Sequence, residues 1–232
     1  MGVAYNTSIV RNGLVLHLDA ANVKSYSGSG TTWSDLSGNG NNGTLLNSVG
    51  YSSDNKGVMT FDGVNDYVSI NNLGLSDHTI EVWVNPQQSV GGTGGGDLAS
   101  IIGVYTPTSG SLGKYTYIGP YATNSFTFRI DDGVSSHQLV GSAGYTVGEW
   151  YYAAMTYNAS TGLCIAYLNG NSIGSRSFTT GIVFNSVPFN IARSENGTHF
   201  SCYISSSKAY DRALTATEIK QNFEALRGRY GI

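Results

Sequence analysis

The run from Glu149 to Phe178, EWYYAAMTYNASTGLCIAYLNGNSIGSRSF, restricts the fold more than any other stretch. It holds two or three short pieces rich in aromatic and aliphatic residues, each too short for a stable helix and each bounded by turn chemistry. Asn158 to Gly162 turns between the first two pieces. Asn169-Gly170 turns the next, and Asn-Gly between strand-like runs is a strong hairpin signal because both residues tolerate positive φ. Successive hairpins of this kind mean antiparallel sheet.

The pattern continues along the chain. In LVLHLDA, Leu14, Leu16 and Leu18 share one face while Val15, His17 and Asp19 share the other. In HTIEVWVNP (His78 to Pro86), Ile80, Val82 and Val84 face one way, Glu81 and Trp83 the other, and Pro86 ends the strand. Between them, Asp35 to Ile70 opens with the loop DLSGNGNNG and closes on FDGVNDYVSI, which reads strand, tight turn, strand. Further short strands follow in LASIIGVY, KYTYIG, SFTFRI, HQLVGS, PFNIARS and FSCYISSSKAYDRAL, with Trp33 as an anchor. Only the C-terminus reads helical. Thr215 and Glu218 form a capping box, and Ala216, Ile219, Phe223 and Leu226 fall on one face, which predicts a helix over about 216–227.

The expectation is roughly a dozen strands in an all-β, two-sheet antiparallel jelly-roll sandwich with one short C-terminal helix. An arm over 1–13 precedes one domain over 14–232. At 232 residues one large β domain suffices, and 12% charged residues with 31 glycines suit short strands joined by tight turns. The net charge of −3 and the lack of a basic cluster disfavour nucleic acid. No apolar run approaches the roughly 18 residues that cross a bilayer, so no membrane insertion is expected. No basic start followed by an apolar run marks a signal peptide. Cys164 and Cys202 lie in strand-like runs and read as buried free thiols.

Two kinds of binding chemistry suggest themselves. Calcium takes roughly six to eight oxygens. Asp35, Asn39 and Asn41 offer several within one loop, and Asp19 or Asp211 adds a carboxylate if the strand ends converge. The competing reading is that Asp35 starts an Asx turn and the asparagines permit tight bends. Sugar recognition joins aromatic faces to a few polar groups. Tyr105, Tyr115, Tyr117, Tyr121 and Tyr145 lie in the loop-rich middle, with Asn124, Arg129, Asp131, Asp132 and His137 nearby. The competing reading is that these tyrosines fill one sheet face.

Catalysis finds little support. Glu81, Glu149, Glu195, Glu218 and Glu224 are scattered, and no carboxylate pair is spaced to flank a glycosidic bond. His17, His78, His137 and His199 make no metal spacing. The chain is expected not to be an enzyme.

LVLHLDAAN, TTWSDLSGNGNNGTL, FDGVNDYV, TIEVWVNP, the Trp150-to-Asn169 block and AYDRALTATEI, in this order, resemble the concanavalin A-like, laminin-G-type sandwich domains from about Leu14 to Leu226. The resemblance implies two curved antiparallel sheets, binding of glycans or proteins, often a structural calcium ion, and use in bacteriophage tail and capsid proteins. The expected function is therefore a virion surface protein, a phage head decoration or a tail or fibre component. Released by lysis, it would bind other coat or tail subunits as a homo-oligomer on the particle. The alternative is a lectin-like adhesin for host surface glycans, and a more remote one is a glycoside hydrolase.

Overall fold

Where side chains alternate, the backbone pairs. The computed structural model describes residues 8–90, 99–104, 114–121, 124–132, 138–178, 188–194 and 197–232; the side chains at 114, 132, 138 and 139 lie outside that description. In chain order come β1 (Leu14–Asp19), β2 (Thr32–Trp33), β3 (Gly43–Leu46), β4 (Gly50–Ser52), β5 (Val58–Phe61) and β6 (Tyr67–Ile70). Next are β7 (His78–Pro86), β8 (Ile102–Val104), β9 (Lys114–Tyr121), β10 (Ser125–Asp132) and β11 (Gln138–Gly144). The order closes with β12 (Tyr151–Tyr157), β13 (Leu163–Leu168), β14 (Asn171–Ser177), β15 (Phe189–Ile191), β16 (Cys202–Tyr210) and the helix α1 (Ala216–Leu226). Among the described residues the strands number sixteen, more than the dozen expected. The surplus is β2, β3 and β4, two to four residues long within stretches that read as loop and too short to show alternation.

Two antiparallel sheets result. The first runs β14-β13-β12-β7-β16-β5-β4, the second β11-β10-β9-β8-β15-β6-β3-β2. β16 is long enough to take β5 along Cys202 to Ile204 and β1 along Ser206 to Tyr210, so the first and last strands meet. The Asn169-Gly170 hairpin forms as expected, with φ of 49° and 76°.

The core lies between the sheets. Leu16, Leu18, Ile80, Val82, Val84 and Met155 of the first sheet meet Phe126, Phe128, Ile130, Phe189 and Ile191 of the second. Cys164 and Cys202 sit within it as free thiols, and burial raises both thiol pKa values. A second apolar layer covers the outer face of the first sheet. There Trp83 stacks on Tyr230 at 4.1 Å and on Phe223 of α1 at 5.7 Å.

α1 begins as its sequence requires. The Thr215 side chain accepts from the Glu218 backbone N–H, and the Glu218 carboxylate accepts from the Thr215 N–H at 2.9 Å. The described part of the arm is not a free extension. The Val10 N–H donates to Asn222 Oδ1 at 2.7 Å, its carbonyl accepts from the Tyr210 hydroxyl at 3.1 Å, and its side chain is buried under the helix. Residues 8–13 thus belong to the body of the domain.

Candidate functional site

The turn after β5 gathers oxygen atoms at one end of the sandwich. Asp62 Oδ1 accepts the Val64 N–H at 2.7 Å, which closes an Asx turn, and Asp66 Oδ2 accepts the Asp62 N–H at 3.3 Å. Gly63 holds φ of 79°, and a Cβ there would lie 2.8 Å from the Ser201 nitrogen, so only glycine lets the turn dock on the strand entering β16. Asp66 is 5% exposed, and its Oδ1 has no hydrogen-bond partner among the described residues. Burial raises its carboxyl pKa, and the Asp62 charge adds to the rise. The Val64 N–H, by contrast, lowers that of Asp62.

Two hollows flank this turn. A cavity of about 390 Å³ is lined by Asp62, Asp66, Gln87, Ser201 and Tyr203. Another of about 340 Å³ lies past Gly63, beside Val64, Gln88, Pro120, His199 and Phe200. The first combines an aromatic ring, two carboxylates, an amide and a hydroxyl, the mixture a sugar subsite uses.

The tyrosines expected to form an exposed patch are mostly elsewhere. The pairing of β9 with β10 does set Tyr115 opposite Asp131 and Tyr117 opposite Arg129. Both rings point to the outer face of the second sheet, packed 5.5 Å apart, yet both are buried. Burial and the neighbouring Asp131 raise the Tyr115 pKa. Tyr121 alone of the described set is exposed, with the Arg129 guanidinium 4.7 Å over its ring. Tyr145 belongs to the inter-sheet core, 5.0 Å from Phe126, with its hydroxyl on the Gln88 carbonyl. Asn124 occupies the β9–β10 turn at φ 52° and accepts the Val90 N–H at 2.8 Å. Asp132 stands at the end of β10, opposite Lys114. Tyr105 and His137 lie outside the described residues.

The calcium set does not converge. The Asp35 carboxylate accepts four protein donors: the backbone N–H groups of His17, Ser37 and Asn41 and the Ser37 hydroxyl. Asn39 and Asn41 turn their amide N–H groups toward the Leu14 and Val15 carbonyls. Asp19 is bound to Arg229, and Asp211 follows β16 beside the opposite end of β1. Five strand residues at roughly 3.3 Å each separate those two carboxylates, too far for one ion. Among the described residues no three His, Cys, Asp or Glu side chains group as metal ligands. The loop is an Asp-centred brace on β1.

The glutamates in the description are also engaged. Glu149 accepts from the Tyr151 hydroxyl, Glu218 pairs with Arg212, and Glu224 with Lys220 and Arg227. Glu195 lies outside the described residues. Glu81 does not stand alone, as its sequence surroundings imply. Its Oε1 meets Lys208 Nζ at 2.7 Å, and its Oε2 accepts from the Tyr152 hydroxyl at 2.6 Å and from Asn222 Nδ2 at 2.9 Å. Those partners lie 127, 71 and 141 positions away, so no local signal announces them. Asp66 and Tyr203 escape sequence reading for a similar reason, because their cavity forms only when β5 and β16 pair.

Together, two antiparallel sheets with the core between them define a concanavalin A-like jelly-roll sandwich. The chain belongs to the concanavalin A-like lectin/glucanases superfamily, whose family model matches residues 62–220. No curated protein matches the sequence. Among solved structures it is similar to domain 4 of AbnA, a GH43 extracellular arabinanase from Geobacillus stearothermophilus, in complex with arabinotriose. There the TM-score is 0.66 at 17% identity, covering 90% of this chain and 97% of that one. It is also similar to the binding domain of Paraclostridial mosquitocidal protein 1, with TM-score 0.67 at 19% identity over 92% of this chain and 52% of that one. A third is the Trypanosoma rangeli sialidase in complex with sialic acid, with TM-score 0.65 at 13% identity over 94% of this chain and 33% of that one. This chain thus spans nearly all of the first and about half or less of the other two. At these identities the likeness is one of fold.

Proposed function

We propose that this chain is a non-catalytic recognition module that takes a carbohydrate in the cavity beside the turn of residues 62–66. The observation that carries the reading is the hollow itself, whose wall brings the carboxyl-bearing Asp62 and Asp66 together with Gln87, Ser201 and Tyr203. A sugar hydroxyl is a donor of the right kind, and a tyrosine ring offers a face for a pyranose or furanose. The fold adds support, since the arabinanase domain of the same fold was solved with arabinotriose. The non-catalytic part is supported by the glutamates within the described residues, each held by a protein donor, and by Asp62 and Asp66, whose carboxylates accept backbone N–H groups of their own turn.

A glycan array followed by calorimetry on the hits tests this. Gln87→Ala and Tyr203→Ala should each weaken binding at least tenfold while leaving the melting temperature near the wild-type value. A blank array, or hits indifferent to both changes, overturns it.

The finer setting we propose is a phage particle, where the module also contacts coat or tail subunits as a homo-oligomer. The resemblance in sequence supports this reading. Labelled protein rebinding to stripped particles, with a blank glycan array, would favour subunit binding over sugar binding. Failure to rebind would remove the virion setting.

A further inference from the structure

Between the first sheet and α1 lies a triad that the proposed binding reaction does not use. Lys208, Glu81 and Asn222 are each at most 1% exposed. Lys208 and Glu81 sit directly opposite one another on β16 and β7, while Asn222 descends from α1. Both nitrogens rest on one carboxylate: Lys208 Nζ on Oε1 at 2.7 Å and Asn222 Nδ2 on Oε2 at 2.9 Å. The other atom of that amide, Asn222 Oδ1, receives the Val10 N–H at 2.7 Å. Trp83, Tyr152, Tyr210 and Phe223 enclose the group.

We propose that Lys208 and Asn222 join through a self-formed intramolecular amide, with Glu81 as the proton carrier. The arrangement supplies each part that the reaction needs. Glu81 Oε1 takes one proton from the Lys208 ammonium and leaves an amine lone pair. That lone pair attacks Asn222 Cγ, one bond beyond Nδ2, and the negative charge moves onto Oδ1, where the Val10 N–H is already aimed. Collapse breaks the Cγ–Nδ2 bond. The departing nitrogen takes the proton that the Glu81 carboxyl holds, and the attacking nitrogen returns one to that carboxyl. Ammonia leaves, an Nζ–Cγ amide remains, and Glu81 keeps the single proton that the lysine brought. No oxidant or cofactor enters. The surrounding rings keep out water that would otherwise solvate the lysine and compete as nucleophile. A buried ion pair is a weak source of stability, whereas this bond would fasten α1 to β16 permanently.

Intact-mass spectrometry of denatured protein decides the matter. The expected mass falls short of the sequence mass by one ammonia, and proteolysis should yield one branched peptide joining Lys208 to Asn222. Lys208→Arg and Glu81→Gln should restore the full mass. The wild-type result stands alone if either variant fails to fold. A wild-type mass equal to the sequence mass after prolonged incubation of folded protein overturns the proposal. So does a deficit carried by an unbranched peptide, which would mean that Asn222 had cyclised on its own backbone.

Discussion

Asp19 and Arg229 are 210 positions apart in sequence and face each other through two hydrogen bonds of 2.8 and 3.0 Å. One sits at the end of the first strand, the other in the short 3-10 turn after α1. Both are largely buried, so the contact ties the first strand to the turn that follows the helix.

That pair predicts an acid response. Burial pulls the Asp19 carboxyl pKa upward, but the Arg229 bonds and charge outweigh it and hold the pKa below the usual carboxylate range. The unfolded chain therefore binds this proton more readily, and the contribution is complete above about pH 4 and lost as pH falls further. Asp19→Asn should flatten that part of the stability curve in urea titrations. At neutral pH it should cost about 3 kcal/mol, because Arg229 is left buried without its carboxylate. An unchanged acid limb would show that the pair contributes nothing.

His78 sets a second, higher window. Its ring is buried, with Nε2 3.0 Å from Thr116 Oγ1 and Nδ1 2.8 Å from the Ser76 carbonyl. Burial lowers its pKa to about 4. The folded state resists protonation, so stability present above about pH 6.5 should decline by about 3 kcal/mol as pH falls through the His78 value. His17, lowered to about 3 by burial and then by Lys208, adds to the same slope. His78→Gln should lessen the slope of melting temperature between pH 6.5 and 4. Parallel slopes would sink the assignment.

Gly57 tests a close backbone approach. It holds φ of 145°, and a Cβ there would meet the Ala20 carbonyl oxygen at 2.3 Å. Gly57→Ala should cost about 2–4 kcal/mol, since backbone must move. Gly38, at φ 93° with open space around it, should lose only about 1 kcal/mol on the same change. Equal costs at the two sites in denaturant melts would contradict the clash.

The Asp35 brace makes a prediction about calcium. Asp35→Ala removes four acceptor contacts and should destabilise by about 3 kcal/mol. Wild-type melting curves in calcium and in chelator should coincide. A rise in melting temperature with calcium would reveal an ion site outside the set considered.

Local chemistry carried the architecture into view. The Asn169-Gly170 hairpin, the alternation around Val82 and the Thr215–Glu218 cap are each contained within a few residues, and each formed as read. Burial of Tyr115 and Tyr117 was not legible, because alternation assigns a face but not what lies over it. The Glu81 cluster was hidden for another reason. Asn222 looks like a polar position on an amphipathic helix, and only the docking of α1 turns it inward beside Lys208. Asp66 reads as turn chemistry in FDGVNDY, and it is that, yet pairing of distant strands also makes it a cavity wall.

The stack of Tyr230 on Trp83 has an optical corollary. Trp150 also lies 4.6 Å from the same ring, whereas Trp33 is enclosed in the inter-sheet core. Two of the three indoles therefore share one neighbour close to the C-terminus. Detachment of that tail alone should alter near-ultraviolet dichroism and emission while the Trp33 signal persists, giving an intrinsic gauge of fraying that needs no dye.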